Sequence, residues 1–239
     1  LAKGETIIEN AAREPEIKDL AECLNKMGAK ITGAGTSHIK IKGVKSLSKT
    51  EHTIISDRIV AGTYVIAAIM LNNEFTINNI DPSFLLTPLK VLIRMGAKIN
   101  IGDNFIKVLP SSSIMGTTLK TKPYPGFPTD LQAQWIALMS LANGESIITE
   151  EIYLDRFTHI PELNRLGAKI VLKKNIALVA GVSRLYGAPI MSTDIRASAS
   201  LILGALAAKG KSIISRIYHI DRGYENIESK FQRLGAQIN

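Results

Sequence analysis

The chain has 239 residues, of which 46% are apolar and only 5% aromatic, a balance typical of a globular α/β protein with an aliphatic core. No apolar run approaches the roughly 18 residues needed to cross a bilayer, and residues 1–10 lack the pattern of a signal peptide, so we expect a cytoplasmic protein without a membrane partner. A single cysteine excludes an internal disulfide, and the four scattered histidines lack ligand spacing, so we expect no metal or other cofactor.

Positive charge is in excess but dispersed along the chain. The 29 lysines and arginines outnumber the 21 aspartates and glutamates, which gives a net charge of +8. Nucleic acids, membrane surfaces and small anions all attract such a protein. Because no block of about five or six like charges occurs, the pattern favours small anionic ligands over a polyanion.

The first predicted elements are a strand at Thr6–Ile8 and a helix at Pro15–Met27. Apolar residues recur at helical spacing in the second segment, a proline suits its first turn, and Gly28 follows as a C-terminal cap. Short strands are predicted at Ala29–Thr32 and His38–Ile41. The glycines between them indicate a hairpin turn, since neither a third glycine nor a helix follows as a phosphate loop requires.

Three more helices are predicted, each entered at or just after an aspartate. They are Ile59–Leu71 after Asp57, Leu131–Leu141 after Asp130, and Ile195–Ala208 after Asp194. Aspartate is a favoured N-cap, so repeat symmetry and capping alone would explain the pattern. The same helix N-termini also suit bound anions, and a carboxylate placed there would then have a chemical role.

One phrase recurs four times at intervals of 68, 71 and 68 residues. Its copies are Met27-Gly-Ala-Lys-Ile31, Met95-Gly-Ala-Lys-Ile99, Leu166-Gly-Ala-Lys-Ile170 and Leu234-Gly-Ala-Gln-Ile238. This period exceeds the roughly 20–50 residues of solenoid and propeller units and indicates a small α/β module used several times. The first copy lacks most of the preceding helix, so we expect the chain to be a fragment truncated at its N-terminus.

Three arginines lie beside acidic residues at loops or helix starts. Arg156 and Arg222 each fall twelve residues after the glycine that opens a repeat strand, and Arg196 lies in the first turn of a predicted helix, where a cation is disfavoured. A single such arginine would be a solvated surface residue. Three in this pattern indicate a clamp for carboxylate or phosphate groups, because the guanidinium fork matches both.

Three prolines occur in the segment Pro123-Tyr-Pro-Gly-Phe-Pro-Thr-Asp130. They stiffen the approach to the predicted helix Leu131–Leu141 and predict a fixed position for Asp130. A structural turn would also explain them. Cys23 is predicted to be a half-buried, inert thiol on the first helix. His159 and His219 flank two of the arginine loops, where either could orient a carboxylate, although satisfied structural histidines are commoner.

Four segments together resemble the UDP-N-acetylglucosamine enolpyruvyl transferases: Asn10–Ile17, Pro123–Gln134, Asp194–Ser198 and Tyr218–Glu225. The resemblance covers essentially all 239 residues and corresponds to roughly the C-terminal half of such an enzyme. It implies an α/β fold of two inside-out barrels, each built from three βαβαββ-type units, with the active site between them. Residues 1–55 would close the first domain, and residues 56–239 would form the three units of the second.

The resemblance implies transfer of the enolpyruvyl group of phosphoenolpyruvate to the 3-hydroxyl of UDP-N-acetylglucosamine, with release of phosphate, in the first committed step of peptidoglycan synthesis. Asp130 matches the general base at the sugar hydroxyl. Arg156, Arg196 and Arg222 match arginines around phosphoenolpyruvate and in the closed cleft, Arg222 with a catalytic role. Ile152 matches an aliphatic position whose backbone contacts the nucleotide sugar.

The resemblance also implies what this chain lacks. In the family, the proton donor lies on a mobile loop of the first domain, and a lysine near the N-terminus binds phosphoenolpyruvate. Cys23 is not that proton donor, because it follows the Asn10 motif on a helix. We therefore expect the 239-residue chain alone to be inactive and the missing N-terminal half to be its partner.

Three other functions stay open. An enolpyruvylshikimate-phosphate synthase shares the fold and the phosphoenolpyruvate donor, but the proline-rich motif and Tyr218–Glu225 argue against it. A nucleic-acid-binding repeat protein would need a basic stripe with stacking aromatics. A noncatalytic half that serves as an assembly partner is the third.

Overall fold

The computed structural model describes residues 1–238. Its helices are α1 Pro15–Lys26, α2 Arg58–Met70, α3 Leu86–Arg94, α4 Gln132–Met139, α5 Ile160–Arg165, α6 Ile195–Ala207 and α7 Ile227–Arg233. Its strands are β1 Glu5–Glu9, β2 Lys30–Thr32, β3 His38–Lys42, β4 Phe75–Asn78, β5 Lys98–Ile101, β6 Phe105–Leu109, β7 Thr118–Lys120, β8 Glu145–Thr149, β9 Lys169–Lys173, β10 Ile176–Ala180, β11 Leu185–Tyr186, β12 Pro189–Met191, β13 Ala208–Lys209 and β14 Ile213–Ser215. Short 3₁₀ turns at Pro82–Leu85 and Thr129–Leu131 lead into α3 and α4.

The predicted elements are confirmed to within two residues at each end. The glycine-containing segment after β2 is a hairpin turn, since β2 and β3 pair antiparallel with Thr32 opposite Lys40. Gly33 has a φ of +77°, and a Cβ there would lie 2.1 Å from the carbonyl oxygen of His38. Glycine is therefore required by both conformation and space, and the interpretation as a turn rather than a phosphate loop holds.

The recurring phrase marks the end of α1, α3, α5 and α7. Its glycines Gly28, Gly96, Gly167 and Gly235 all have φ between +91° and +106°. In each copy the glycine N–H donates three residues back and the following alanine N–H donates five residues back, for example Ala29 to Leu24 over 3.0 Å. This is the Schellman arrangement, which satisfies the last carbonyls of a helix. Each copy therefore encodes a helix stop, and the first three copies also lead into a strand, β2, β5 or β9.

The strands form five separate sheets rather than a closed one. Three of them repeat one pattern, in which the last strand of a strand-helix-strand-strand unit lies between the other two: β1-β3-β2, β4-β6-β5, and β8-β10-β9 with β7 added parallel beside β8. The segment from β7 to β10 has the expected βαβαββ order. Within residues 1–238 the α/β units are confirmed, but no closed barrel of strands is present.

Helices α2, α4 and α6 lie at the centre of the molecule. Every residue of α4 is buried, and so is most of α2 and α6. The sheets cover them: in the β8–β10 sheet Ile148 and Val179 are buried, whereas Ile147 and Val171 on the opposite face are 40% and 55% exposed. Helices inside and sheets outside are the reverse of an ordinary barrel. This arrangement brings the N-termini of the central helices into one region.

The contiguous core runs from Ile59 to Phe231 and contains no residue of the β1-β3-β2 sheet or α1. That first unit is joined to the rest by an ion pair, in which Arg58 Nε lies 2.9 Å from Glu16 Oε1. The Arg58 side chain is only 7% exposed and also lies over the ring of Tyr124, 5.6 Å from its centroid. One arginine thus contacts both the first unit and the proline-rich loop.

Candidate active site

Asp130 lies at the centre of a charge cluster at the entrance of α4. Its Oδ1 is 2.9 Å from Nη1 of Arg156, and its Oδ2 is 3.2 Å from Nη2 of Arg196. The carboxylate is 35% exposed, while the two arginine side chains are 18% and 19% exposed. Three side chains separated by dozens of residues in the sequence therefore form one half-buried group with a net positive charge.

Of the two roles that the sequence left open for Asp130, helix capping is not the one observed. Asp57 and Asp194 are N-caps, each accepting two backbone N–H groups, but the Asp130 carboxylate accepts none. Residues 129–131 form a 3₁₀ turn, and Pro128 occupies the cap position of this turn. The turn places Asp130 inside the first helical turn, so its carboxylate points to the arginines instead of the backbone. It is thereby available to a ligand.

Arg196 is positioned by the start of α6. Its own N–H donates to Asp194 Oδ1 over 2.8 Å, which fixes the backbone from which the side chain extends. Burial by itself lowers the pKa of the Arg196 guanidinium, but Asp130 and hydrogen-bonded Tyr224 more than offset this, so its pKa is raised. The unfavourable place of a cation at a helix N-terminus is thus compensated by Asp130.

Arg156 extends from the turn that follows β8. Its N–H donates to the carbonyl of Tyr153 over 3.0 Å, and its guanidinium lies 5.2 Å from the centroid of the Tyr153 ring. The aromatic face attracts this cation in addition to its charged partner, Asp130. Its Nη1 thus remains directed at Asp130, while its buried Nε has no partner within residues 1–238.

His159 lies fully buried behind this cluster. Burial, opposed by Asp194 and assisted by Arg156, lowers the pKa of the imidazole to about 3. It is therefore neutral at physiological pH and stacks on Phe157 with ring centroids 6.4 Å apart. His159 is a packed, uncharged neighbour of the site, whereas the sequence left open whether it orients a carboxylate.

A pocket opens directly beside Asp130. It is lined by the proline-rich loop, by Glu14 and Arg58, and by Ile152. The loop is closed by hydrogen bonds from Lys122 N–H to the Phe127 carbonyl over 2.9 Å and from Gly126 N–H to the Pro123 carbonyl over 2.8 Å. The predicted stiffness of this loop thus has a visible hydrogen-bonded basis, and the predicted residues Asp130 and Ile152 share one concave surface.

Ile152 is held by a buried carboxylate that the sequence analysis did not single out. Glu150 Oε1 accepts hydrogen bonds from Thr121 Oγ1 over 2.7 Å and from the N–H groups of Ile152 and Tyr153 over 2.9 and 3.0 Å. Because the Ile152 N–H is engaged, a backbone contact from this residue to a ligand would use its carbonyl oxygen. An acidic residue directly after the alternating strand β8 was the available clue.

Arg222 does not join the cluster. It is exposed, and within residues 1–238 it forms no ion pair. Its loop nevertheless approaches α6, since a Cβ on Gly223 would lie 2.3 Å from Cδ1 of Ile195. The structure therefore brings together four of the five predicted site residues and leaves the fifth on a neighbouring loop. No group of side chains suited to a metal ion occurs in this described part of the chain.

The family model for EPSP synthase (3-phosphoshikimate 1-carboxyvinyltransferase) matches residues 1–231. The chain belongs to the EPSP synthase family. Among solved structures, the enolpyruvyl transferase NikO from Streptomyces tendae superposes with a TM-score of 0.91 at 27% identity, over 100% of this chain and 57% of that one. EPSP synthase from Acinetobacter baumannii superposes with a TM-score of 0.72 at 18% identity, over 97% of this chain and 57% of that one. At this identity the similarity supports the fold alone.

Curated relatives of this family member are more similar in sequence. The UDP-N-acetylglucosamine 1-carboxyvinyltransferase of Desulfosudis oleivorans is 52% identical over 238 residues, covering 100% of this chain and 57% of the relative. The protein of that name from Rhodopseudomonas palustris strain TIE-1 is 53% identical over 239 residues, covering 100% and 56%. The chain thus spans slightly more than half the length of the curated relatives it matches.

Proposed function

We propose that this chain is part of an enzyme that transfers the enolpyruvyl group of phosphoenolpyruvate to the 3-hydroxyl of UDP-N-acetylglucosamine. The observation that carries the proposal is the Asp130 carboxylate, held by Arg156 and Arg196 at the edge of a pocket and not used as a cap. The names of relatives that are 52% and 53% identical to this chain support UDP-N-acetylglucosamine as the acceptor. A NikO-like fold supports the reaction class.

The chemistry requires a base, an acid and cations. Asp130 accepts the proton of the sugar 3-hydroxyl while the hydroxyl oxygen forms a bond to C2 of phosphoenolpyruvate. In the same addition, a proton is transferred to the methylene carbon of phosphoenolpyruvate. Loss of a proton from that carbon and departure of phosphate restore the double bond. Arg156 and Arg196 stabilise the anionic groups of phosphoenolpyruvate and phosphate, and Arg222 joins them when its loop approaches. The proton donor to the methylene carbon comes from outside these residues.

The proposal extends to the role of the chain within the enzyme. Residues 1–55 close one domain, residues 56–239 form the second, and the remaining half of the enzyme completes the site between them. The 239-residue chain alone is inactive. The reaction belongs to peptidoglycan synthesis in the bacterial cytoplasm, and through it to cell-wall biogenesis, cell shape and division, without a nucleic-acid or membrane partner. No helix within residues 1–238 has the length and apolar character of a membrane span.

Shikimate 3-phosphate is the competing acceptor, because the matching family model carries the name of the shikimate enzyme. Both acceptors present a hydroxyl to Asp130 and both reactions use the same donor. They differ in what fills the pocket beside Ile152, a nucleotide sugar or a small phosphorylated ring. Direct comparison of the two acceptors therefore decides between the functions.

The deciding experiment measures phosphate release from phosphoenolpyruvate with each acceptor. It uses the 239-residue chain alone and the same chain joined to the part of the Desulfosudis relative that the alignment leaves uncovered. We expect no turnover by the chain alone and turnover by the joined protein with UDP-N-acetylglucosamine. Turnover only with shikimate 3-phosphate, or none by a folded joined protein, would contradict the proposal.

A further inference from the structure

Two loops border the pocket beside Asp130, and they follow two neighbouring strands. The proline-rich loop comes after β7 and leads to Asp130, whereas the loop after β8 carries Ile152 and Arg156. Because β7 and β8 pair in parallel, both loops leave the sheet at the same end. The pairing extends one step beyond the strands, since the Thr121 N–H donates to the Thr149 carbonyl over 2.9 Å.

A pair of side chains bridges the two loops at their base. Thr121 Oγ1 donates to Glu150 Oε1 over 2.7 Å and accepts the N–H of Glu151 over 2.8 Å. The same Glu150 oxygen also accepts the N–H groups of Ile152 and Tyr153. Thr121 and Glu150 are both fully buried. One buried oxygen therefore joins the start of the proline-rich loop to the backbone of the loop after β8.

The direction of donation in this bridge follows from the donors present. A backbone N–H can only donate, so the Thr121 oxygen accepts from Glu151 and its own proton is left for Glu150. Glu150 Oε2 has no partner within residues 1–238, so the hold of this carboxylate on the loop comes from Oε1 alone. Removing the Thr121 hydroxyl would leave the Glu151 N–H without its acceptor and Oε1 with two donors instead of three.

The backbone of Glu150 is fixed from another direction. Its N–H donates to the Asn175 carbonyl, and its carbonyl accepts Nδ2 of Asn175, both over 2.9 Å. Asn175 lies in the turn between β9 and β10. At the far end of the loop, Arg156 Nη1 reaches Asp130 Oδ1 over 2.9 Å. The two loops are thus connected twice, at the base by Thr121 and Glu150 and at the tip by Asp130 and Arg156.

We propose that Thr121 and Glu150 are positioning residues that set the spacing across the pocket between Asp130 and Ile152. Neither side chain lines the pocket, so both act through the residues that do. The spacing determines how an acceptor sugar lies between the Asp130 carboxylate and the Ile152 carbonyl. This catalytic consequence rests on the proposed function, whereas the structural part stands independently.

The first test is independent of activity and measures amide hydrogen exchange in the 239-residue chain by NMR. The side chains of Ile152 and Tyr153 are 45% and 54% exposed, yet their N–H groups are bonded, so we expect slow exchange. The N–H groups of Leu154 and Asp155 have no acceptor within residues 1–238 and should exchange fast. Thr121→Val keeps the shape of the side chain but removes the hydroxyl, and should speed exchange at Ile152 and Tyr153 by about tenfold.

Two variants serve as controls. Thr121→Ser loses a methyl group but keeps the hydroxyl, so Ile152 and Tyr153 should still exchange slowly. Ser146→Ala removes another buried hydroxyl between β7 and β8, one that accepts the Thr117 N–H over 3.1 Å at the opposite end of the strands, and should leave both amides unchanged.

Three outcomes of the exchange measurement would each overturn the proposal. They are fast exchange at Ile152 and Tyr153 in the unsubstituted chain, unchanged exchange in Thr121→Val, and equal acceleration in Ser146→Ala. The first of these needs no variant to fold.

The second test uses the joined protein described above. Thr121→Val should raise the KM for UDP-N-acetylglucosamine by about tenfold and change the KM for phosphoenolpyruvate by less than about twofold, because the spacing to Ile152 concerns the acceptor. Thr121→Ser and Ser146→Ala should change neither. A fall in kcat alone, or an equal rise in both KM values, would reduce Thr121 to a structural role. If the unsubstituted joined protein does not turn over, the proposed function fails, while the exchange rates still decide whether Thr121 and Glu150 hold the loop.

Discussion

The entrances of α4 and α6 occupy equivalent places in the repeat and carry the same residue, yet their carboxylates do different things. At α6, Asp194 Oδ1 accepts the N–H groups of Arg196 and Ala197 over 2.8 and 3.0 Å. At α4, Asp130 accepts no backbone N–H and instead faces two guanidinium groups. One aspartate caps a helix, whereas the other pairs with two arginines at the edge of a pocket.

The 3₁₀ turn at α4 explains this difference. Leu131 N–H bonds to the carbonyl of Pro128 over 3.1 Å, so the chain already turns before the α-helix begins at Gln132. Asp130 then lies within the turn rather than before it. Helix capping at Asp194 in turn fixes the backbone of Arg196, which supplies half of the clamp on Asp130. The capping aspartate thus positions Arg196, a partner of Asp130.

The largest expected effect comes from removing the charge of Asp130. Asp130→Asn keeps the shape of the side chain but abolishes the proton acceptor, so kcat of the joined protein should fall by roughly 10²–10⁴-fold. Phosphate release in the presence of UDP-N-acetylglucosamine measures it, and thermal melting verifies the fold. Asp57→Asn is the matched control, because asparagine caps a helix as well as aspartate does. Comparable losses of kcat in Asp130→Asn and Asp57→Asn would contradict a catalytic role for Asp130.

The sequence was sufficient for helices α1, α2, α4 and α6, and for four of the five residues of the candidate site. Periodicity placed the helices, and the arginine pattern indicated a carboxylate or phosphate clamp containing Arg156 and Arg196. It left open whether Asp130 caps a helix, because a cap and a residue inside a 3₁₀ turn differ by only two positions in the chain. It also missed the hydrogen bond between Thr121 and Glu150, which are 29 residues apart, since local patterns carry no information on such contacts. Arg222 shows that repeat equivalence to Arg156 does not guarantee the same contacts.

A smaller effect is expected from His159, which is buried against the α6 entrance. The pKa of this imidazole is lowered to about 3 by burial, whereas in the unfolded chain it is about 6.5. The unfolded state therefore binds the extra proton as pH falls below about 6.5, and stability declines by about 1.4 kcal/mol per pH unit. Between pH 7 and 5 the free energy of unfolding should drop by about 2 kcal/mol from this group alone.

Urea denaturation at pH 7, 6 and 5 measures that slope. His159→Gln should flatten it, while His38→Gln, at an exposed position, should leave it unchanged. Asp194 adds to the loss only at lower pH. Burial by itself raises its pKa, but hydrogen bonds from Ala197, Thr158 and Arg196 outweigh burial and lower it, so its contribution is lost as pH falls below about 4. An equal slope in His159→Gln would show that the imidazole is not buried in its neutral form.

The smallest expected effect, on the free energy of unfolding, comes from removing the helix cap at Asp57, which has no role in the proposed reaction. Asp57 accepts the N–H groups of Ile59 and Val60 over 2.8 and 2.9 Å at the start of α2, so Asp57→Ala should lower the free energy of unfolding by about 1 kcal/mol. Asp57→Asn should keep most of the free energy of unfolding of the unsubstituted chain. Urea titration of the unsubstituted chain, Asp57→Ala and Asp57→Asn measures these differences. If alanine and asparagine destabilise equally, the charge of Asp57 matters more than its two hydrogen bonds, and helix capping would no longer separate this entrance from that of α4. If only alanine destabilises, the two accepted hydrogen bonds of Asp57 account for its contribution, whereas the charge of Asp130 is tested separately by Asp130→Asn.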